Sequence, residues 1–320
     1  MPLLDVENLK VYFETMRGYV KAVDNVSFQV EKGEAMGLAG ESGCGKTTTA
    51  LAILKILPPN GKILGGRVLF NGIDLTQLDE DELRNKIRWK GISLIFQGAM
   101  NALNPIKKIG DQISEAILLH EPNVEKEEAM ERAAKLLELV GIEPSRLSNY
   151  PHEFSGGMRQ RAMIAMSLAS SPEMVIADEP ATALDVIVAA QVLKLLRELK
   201  SKLHISIILI THDLSIIADT CDKTAIMYAG KIVEYGEVSA IFKEPLHPYT
   251  QGLINAFPNI KSKRTKMASI PGTPPDLLKP PSGCRFNPRC PYAMQICRKK
   301  EPELLDVEKS HLVACHLVMK

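Results

Sequence analysis

Several things this 320-residue chain lacks narrow it before any motif is read. No apolar run approaches the ~18 residues that cross a bilayer. Ile205 to Ile210, broken only by Ser206, has the length of a strand. Neither sign of charge is in excess: 39 Lys and Arg face 38 Asp and Glu, a formal net charge of +1. No global field therefore draws the chain to nucleic acid or anionic lipid. Met1-Pro2-Leu3-Leu4-Asp5 has no basic segment ahead of an apolar core, so no signal peptide is expected. The expectation is a soluble, cytoplasmic chain that meets a membrane only through partners. Internal repeats and low-complexity blocks are absent. So is the tight C-x2–4-C pair of a zinc ribbon. The six cysteines are not spread as an oxidised secreted scaffold would spread them: Cys44 and Cys221 stand alone, and Cys284, Cys290, Cys297 and Cys315 crowd the end. In a reducing compartment, four clustered cysteines point to a metal or iron–sulfur site. With 45 % apolar residues the chain can bury a substantial core.

What is present centres on Gly40-Glu41-Ser42-Gly43-Cys44-Gly45-Lys46-Thr47. It reads G-x-x-x-x-G-K-T, with the apolar run Ala35–Ala39 before it and a helical pattern after it. Glycines at these positions let successive backbone N–H groups turn inward around a β-phosphate, and the helix start adds partial positive charge. Lys46 can reach the β- and γ-phosphates, and the Thr47 hydroxyl can hold Mg²⁺. The pattern implies a bound nucleoside triphosphate; the competing reading is a Gly-rich surface turn.

Residues 3–37 read as β-structure, with strands over Leu9–Phe13 and Val26–Val30 and a turn at Lys32-Gly33. Phe13 and Tyr19 are candidates to stack on an adenine, or else pack in the sheet. Thr48–Leu57 reads as a helix stopped by Pro58-Pro59. Ile92–Phe96 reads as a buried strand ending at Gln97. Residues 108–148 carry three- and four-residue apolar spacing through Ala133, Leu136, Leu137 and Val140, a helical insertion. Met174–Asp178 is an apolar strand closing on Asp178-Glu179, and Ile205–Ile210 closes on Thr211-His212-Asp213. Alternating strands and helices imply a mostly parallel sheet, whose ligands bind beyond the strands' carboxyl ends. Gln97, Asp178 and His212 all fall there. From Pro245 the composition turns Pro-rich, with a basic run over Lys261–Lys266. The expected division is a domain over 1–245, its helical subdomain at about 100–170, and a small Pro/Cys-rich extension over 246–320.

Hydrolysis of a γ-phosphate needs Mg²⁺, a positioned water and charge stabilisation. Asp178 is the expected partner of the metal through water, Glu179 the base, His212 a γ-phosphate contact, and Gln97 part of the metal shell. Adjacent carboxylates are otherwise often a helix cap, and an isolated His a capping or core residue.

The order Gly40–Thr47, Gln97, Ser155-Gly156-Gly157, Asp178-Glu179, Ala183-Leu184-Asp185 and His212 resembles the nucleotide-binding subunit of ATP-binding-cassette (ABC) transporters over residues 3 to about 240. His247-Pro248-Tyr249-Thr250, Pro271–Pro275 and the cysteine cluster look like the oligopeptide/dipeptide importer ATPases. The resemblance implies an α/β P-loop NTPase fold: a mostly parallel core sheet, an N-terminal antiparallel β subdomain and a helical insertion. It implies ATP and Mg²⁺ as ligands. Ser42, Gly43, Cys44 (a variable position), Gly45, Lys46, Thr47 and Thr48 would line the phosphates, with Thr47, Gln97 and Asp178 toward Mg²⁺. Glu179 would be the catalytic carboxylate and His212 the switch histidine. Ser155, Gly156 and Gly157 would face the ATP of a second ATPase subunit, a related and non-identical chain. Asp185 would lie in the loop communicating between the two sites. The implied partners are two transmembrane permease subunits and, indirectly, an extracytoplasmic solute-binding protein, with no nucleic acid, at the cytoplasmic face of the membrane. Met158 replaces the usual Gln after Ser-Gly-Gly, a variant similar to that of peptide importers. Gln97–Pro105 departs from the usual peptide-importer stretch, so oligosaccharide and nickel import stay open as alternatives. Cys284, Cys290, Cys297 and Cys315 are spaced as for a four-iron four-sulfur (4Fe-4S) cluster, with zinc as the runner-up and unliganded thiols the third reading. The expectation is a structural clip. A soluble ABC ATPase acting on DNA or ribosomes is the competing class. Only 138 positions separate Gly40 from Asp178, with no heptad run for the long coiled coil such proteins carry. A subunit with a dead site is disfavoured by the presence of Lys46, Asp178, Glu179 and His212.

Overall fold

Apolar residues in the first thirty positions do not alternate strictly, and the strands they form are accordingly bulged. β1 (Leu4–Thr15) pairs antiparallel with β2 (Gly18–Val30), and the register slips between Val6 and Leu9, Leu9 and Val11, and Val11 and Phe13. Val6 and Leu9, three apart, would face opposite sides of a regular strand. Asn8 takes a left-handed φ of 48°, and both Val6 and Leu9 are buried. These bulges hid most of the length of both strands from a reading based on alternation.

The computed structural model describes residues 1–98, 102–256, 270–308 and 310–318. Ala99–Asn101 of the Gln97–Pro105 stretch and the basic run Lys261–Lys266 lie outside them. The chain divides into two compact units, Met1–Gln77 with Leu209–Lys320, and Leu78–Ile208. The stretch 246–320 belongs to the first unit.

In the first unit, β3 (Ala35–Ala39) is wholly buried and leads through the phosphate loop into α1 (Lys46–Ile53). The helix begins at Lys46, directly out of the loop, and stops sooner than the sequence suggested. Lys55 adopts a left-handed φ of 50°. Ile56 N–H donates to Leu51 O at 2.9 Å and Lys55 N–H to Ala52 O at 3.0 Å, closing a Schellman motif four residues ahead of Pro59. β4 (Gly61–Phe70) and the short β5 (Ile73–Asp74) complete an antiparallel sheet in the order β2-β1-β4-β5.

The second unit opens with α2 (Glu80–Glu82), capped by Asp79 and continued as a π-helical turn over Leu83–Ile87. β6 (Ile92–Ile95) runs parallel to β7 (Met174–Asp178). Between them lie α3 (Ile109–His120), α4 (Lys126–Leu139) and α5 (Gly156–Ser167). The apolar face of α4 buries Ala129, Ala133 and Leu137, with Val140 just beyond. α6 (Val186–Leu203) follows β7, and β8 (Ser206–Thr211) carries the chain back into the first unit.

There α7 (Leu214–Thr220), β9 (Lys223–Tyr228), β10 (Lys231–Glu237), α8 (Val238–Lys243), α9 (Pro248–Asn255), β11 (Leu305–Glu308) and β12 (His311–Val313) follow. β3 is parallel to β9, β9 antiparallel to β10, and β10 antiparallel to β12, which also pairs with β11. The end of the chain thus forms an integral edge of this unit's larger sheet. Among the described residues no helix is long and apolar enough to cross a membrane.

Candidate functional site

Residues from each unit carry the candidate chemistry. In the first, buried β3 delivers the chain into Gly40–Thr47. A Cβ on Gly40 (φ 146°) would stand 2.1 Å from the Met227 carbonyl oxygen, and one on Gly45 (φ 109°) 2.3 Å from that of Ala22. Neither position admits a side chain. Gly45 is the N-cap of α1 and offers no side-chain cap, and no acidic residue occupies the first turn. The amides and partial positive charge of that helix start are therefore open to an anion.

Lys46 is buried, and its ammonium donates to Gly40 O at 2.7 Å and to Glu41 O at 3.1 Å, with Cys44 Sγ at 3.6 Å. The loop closes around its own lysine. Ser42, Gly43 and Thr47 are exposed, and Thr48 is half-buried. Cys44 is buried, and burial pushes its thiol up against the opposing pull of Lys46. Phe13 is half-buried on β1 with its ring against Gly61, where a Cβ would lie 2.8 Å from Cε1. Tyr19 is exposed on β2, its ring centroid 6.5 Å from that of Tyr12. His212 directly follows β8 and is exposed. It is neither core nor cap: the cap of α7 is Asp213, which accepts from Ser215 N at 2.8 Å.

In the second unit, β6 and β7 lie side by side in parallel, with Ile95 opposite Ala177. Their carboxyl ends therefore bring Gln97 and Glu179 together, and Gln97 Nε2 donates to Glu179 Oε2 at 3.0 Å. Thr182, which no motif singles out, donates its hydroxyl to the same oxygen at 2.9 Å. Glu179 holds a left-handed φ of 47°, uncommon for a residue with a Cβ. Asp178, the last residue of β7, is 3 % exposed. Phe96, read from sequence as the end of the buried strand, lies past the last ladder residue and is exposed.

Ser155 caps α5, its Oγ accepting from Met158 N at 3.3 Å, which leaves its own proton free to donate. Gly156 and Gly157 open that helix, whose first turn has no acidic residue. A Cβ on Gly157 would lie 2.5 Å from Val188 Cγ1, so α6 approaches where only glycine fits. Asp185 caps α6 by accepting from Ile187 N at 3.1 Å and Val188 N at 3.0 Å.

All six cysteines are free thiols. Cys284, Cys290, Cys297 and Cys315 line one small cavity together with Phe286 and His247. Burial, with the neighbouring thiols adding to it, pushes Cys284 up to about 12. Among the described residues, no group of three or more His, Cys, Asp or Glu side chains is set to hold a metal ion.

The sequence reading also missed two residues that reach the phosphate loop from the far end of the chain. Glu41 N donates to Tyr249 Oη at 2.9 Å, and the Arg289 guanidinium grips the Glu41 carboxylate at 2.6 and 2.9 Å. His247-Pro248-Tyr249 thereby gains a physical account. His247 Nδ1 caps α9 by accepting from Tyr249 N at 3.0 Å, Pro248 takes the first helical position, and Tyr249 is aimed at the loop.

The chain is similar to known proteins along most of its length. Residues 23–182 match the ABC transporter family, and residues 233–297 the oligopeptide/dipeptide transporter C-terminal region. The oligopeptide transport ATP-binding protein OppD of Escherichia coli (strain K12) is 48 % identical over 98 % of this chain and 92 % of its own length. The dipeptide transport ATP-binding protein DppD of Caldanaerobacter subterraneus is 44 % identical over 98 % and 97 %. Among solved structures, the dimeric post-hydrolysis state of the cassette MJ0796 bound to ADP and Pi covers 73 % of this chain and 98 % of its own, at 26 % identity and a TM-score of 0.65. The chain accordingly belongs to the ATP-hydrolysing, ATP-binding subunits of ABC transporters, in their oligopeptide/dipeptide group.

Proposed function

We propose that this subunit powers the import of di- and oligopeptides from the cytoplasmic face of a membrane. Two ATPase subunits, the second a related chain, would sandwich ATP head to tail and drive two permease subunits. The Gln97–Glu179 hydrogen bond carries the catalytic part of this reading. It holds a carboxylate at a strand end in one orientation, as a base that takes a proton from an attacking water must be held. Thr47, Gln97 and Asp178 offer oxygen ligands, the donor set a small hard cation such as Mg²⁺ takes. When bound, Mg²⁺ would neutralise charge on the β- and γ-phosphates. His212 would contact the γ-phosphate, and Phe13 or Tyr19 would stack on the adenine.

Exposed apolar residues support the partner assignments. Val186 and Ile187, just after Asp185, are 85 % and 71 % exposed, a pair that a second ATPase subunit would cover. Ile106 and Leu119 stand out on the helical insertion, where a permease loop would dock. The Ser155-capped start of α5 would close over the γ-phosphate of the opposite subunit.

Glu179→Gln keeps shape and removes the base. Turnover should fall at least about 100-fold while an ATP-bound dimer accumulates in size-exclusion chromatography. Wild-type turnover in this variant would remove Glu179 from the chemistry. Uptake of labelled tripeptide by vesicles holding the assembled transporter tests the solute, with nickel and an oligosaccharide as competitors.

We also assign a 4Fe-4S cluster to Cys284, Cys290, Cys297 and Cys315. Four thiols lining one cavity offer the all-thiolate ligand set that such a cluster takes. The full chain purified without oxygen should contain about four irons and labile sulfide, with visible absorbance lost on changing Cys290→Ser. Stoichiometric zinc, or neither metal, would overturn the assignment.

A further inference from the structure

Arg289 and Tyr249 lie outside the phosphate loop in sequence, yet both end on its second residue. Arg289 is 8 % exposed, and every side of it is held. Its Nε donates to Pro271 O at 2.8 Å, one terminal nitrogen to Tyr228 Oη at 3.3 Å, and the fork meets both oxygens of Glu41. The guanidinium carbon also sits 5.6 Å from the Tyr228 ring centroid and 6.0 Å from that of Phe286. Tyr249 is fully buried, packs on Tyr228 at 4.6 Å between centroids, and accepts from Glu41 N–H. Glu41 is thus fixed twice, by its side chain and by its backbone.

The geometry points to a latch: Arg289 and Tyr249 are positioning residues that set the shape of the phosphate loop, and so the affinity for Mg-ATP. A loop of this kind must present successive amides at fixed angles. Lys46 pulls inward on Gly40 O and Glu41 O. The latch pulls on Glu41 from outside. With the outer pull lost, the loop would settle further onto its lysine and present its amides less well to phosphate. A bidentate Arg–carboxylate pair is rigid enough for this task, and a lysine in its place is not. The inference rests on the reading of Gly40–Thr47 as the ATP site.

The test uses the full-length chain and titrates trinitrophenyl-ATP in magnesium, with ATP turnover and thermal unfolding measured alongside. Tyr249→Phe deletes one hydroxyl, and Arg289→Met keeps an unbranched stem over the two rings. Each should raise the dissociation constant and KM for Mg-ATP about tenfold, with kcat within about twofold. Arg289→Lys, which restores charge without the fork, should recover only part of the affinity. Lys46→Ala serves as the reference. If it abolishes binding while both latch variants bind as wild type, the latch is overturned and the ATP site stands. A lowered unfolding temperature with unchanged affinity likewise overturns the latch, because the contacts would then be structural only. Undiminished binding by Lys46→Ala would overturn the underlying site itself.

Discussion

At the scale of single residues, two glycines of the same loop make opposite demands. Gly40 faces the Met227 carbonyl at 2.1 Å from where a Cβ would be, whereas Gly43 (φ 78°) has nothing within 4 Å. Gly40→Ala must move buried backbone, so it should abolish nucleotide binding and lower the unfolding temperature. Gly43→Ala meets only backbone strain of about 1–2 kcal/mol, and should still fold and bind, more weakly. Thermal unfolding with and without Mg-ATP separates the two; equal losses would mean that strain, not crowding, governs the loop. The eight-residue signature made the loop legible without a structure, because its chemistry is local. The strand that ends at Asp178 was legible too, since an apolar run closing on carboxylates is a local pattern. Thr182, the hydroxyl partner of Glu179, was not, and neither was Arg289, 248 positions from Glu41, because no period or motif links residues that meet only when the chain folds.

At the scale of elements, caps decide where helices begin. Ser155 and Asp185 each accept backbone N–H groups at the starts of α5 and α6. Asp185→Ala should cost about 1 kcal/mol of stability, and so should Ser155→Ala. The second change would also remove a hydroxyl proposed to reach a nucleotide, so its loss of turnover should exceed its loss of stability. The start of α9 gives a pH dependence. Burial drives His247 down from 6.5 to about 3, and its Nδ1 must stay unprotonated to accept from Tyr249 N. Between these values the unfolded chain binds a proton that the folded chain refuses, so stability is full above 6.5 and declines as pH falls toward 3. The slope is about 1.4 kcal/mol per pH unit, or about 2 kcal/mol lost at about pH 5. His247→Asn, which can cap without titrating, should flatten that difference in denaturant titrations. Elements with regular spacing, such as α4 and β7, were readable from sequence. The bulged β1 and the early stop of α1 were not, since left-handed Asn8 and Lys55 carry no compositional warning.

At the scale of the whole chain, composition marks residues 246–320 as an appendage, and the packing makes them part of the first unit. The reason is one buried carboxylate. Glu234 on β10 is fully buried and accepts from Leu246 N at 2.8 Å, His247 N at 3.0 Å and the His311 ring at 2.7 Å. β12 in turn covers the edge of β10, pairing Leu312 with Tyr235 and Val313 with Glu234. A chain ending at Pro245 loses every one of these partners and bares a strand edge, together with the Tyr249 and Arg289 contacts to Glu41. Losing these contacts costs up to about 3–5 kcal/mol, which lowers the unfolding temperature of a chain of this size by roughly 5–10 °C. The bared edge should make the truncated chain aggregate. In the full chain, Glu234→Gln gives the same N–H donors a neutral acceptor in place of a charged one and should destabilise. A truncated chain as stable as the parent, measured by scanning calorimetry, would show the extension to be dispensable to the fold after all.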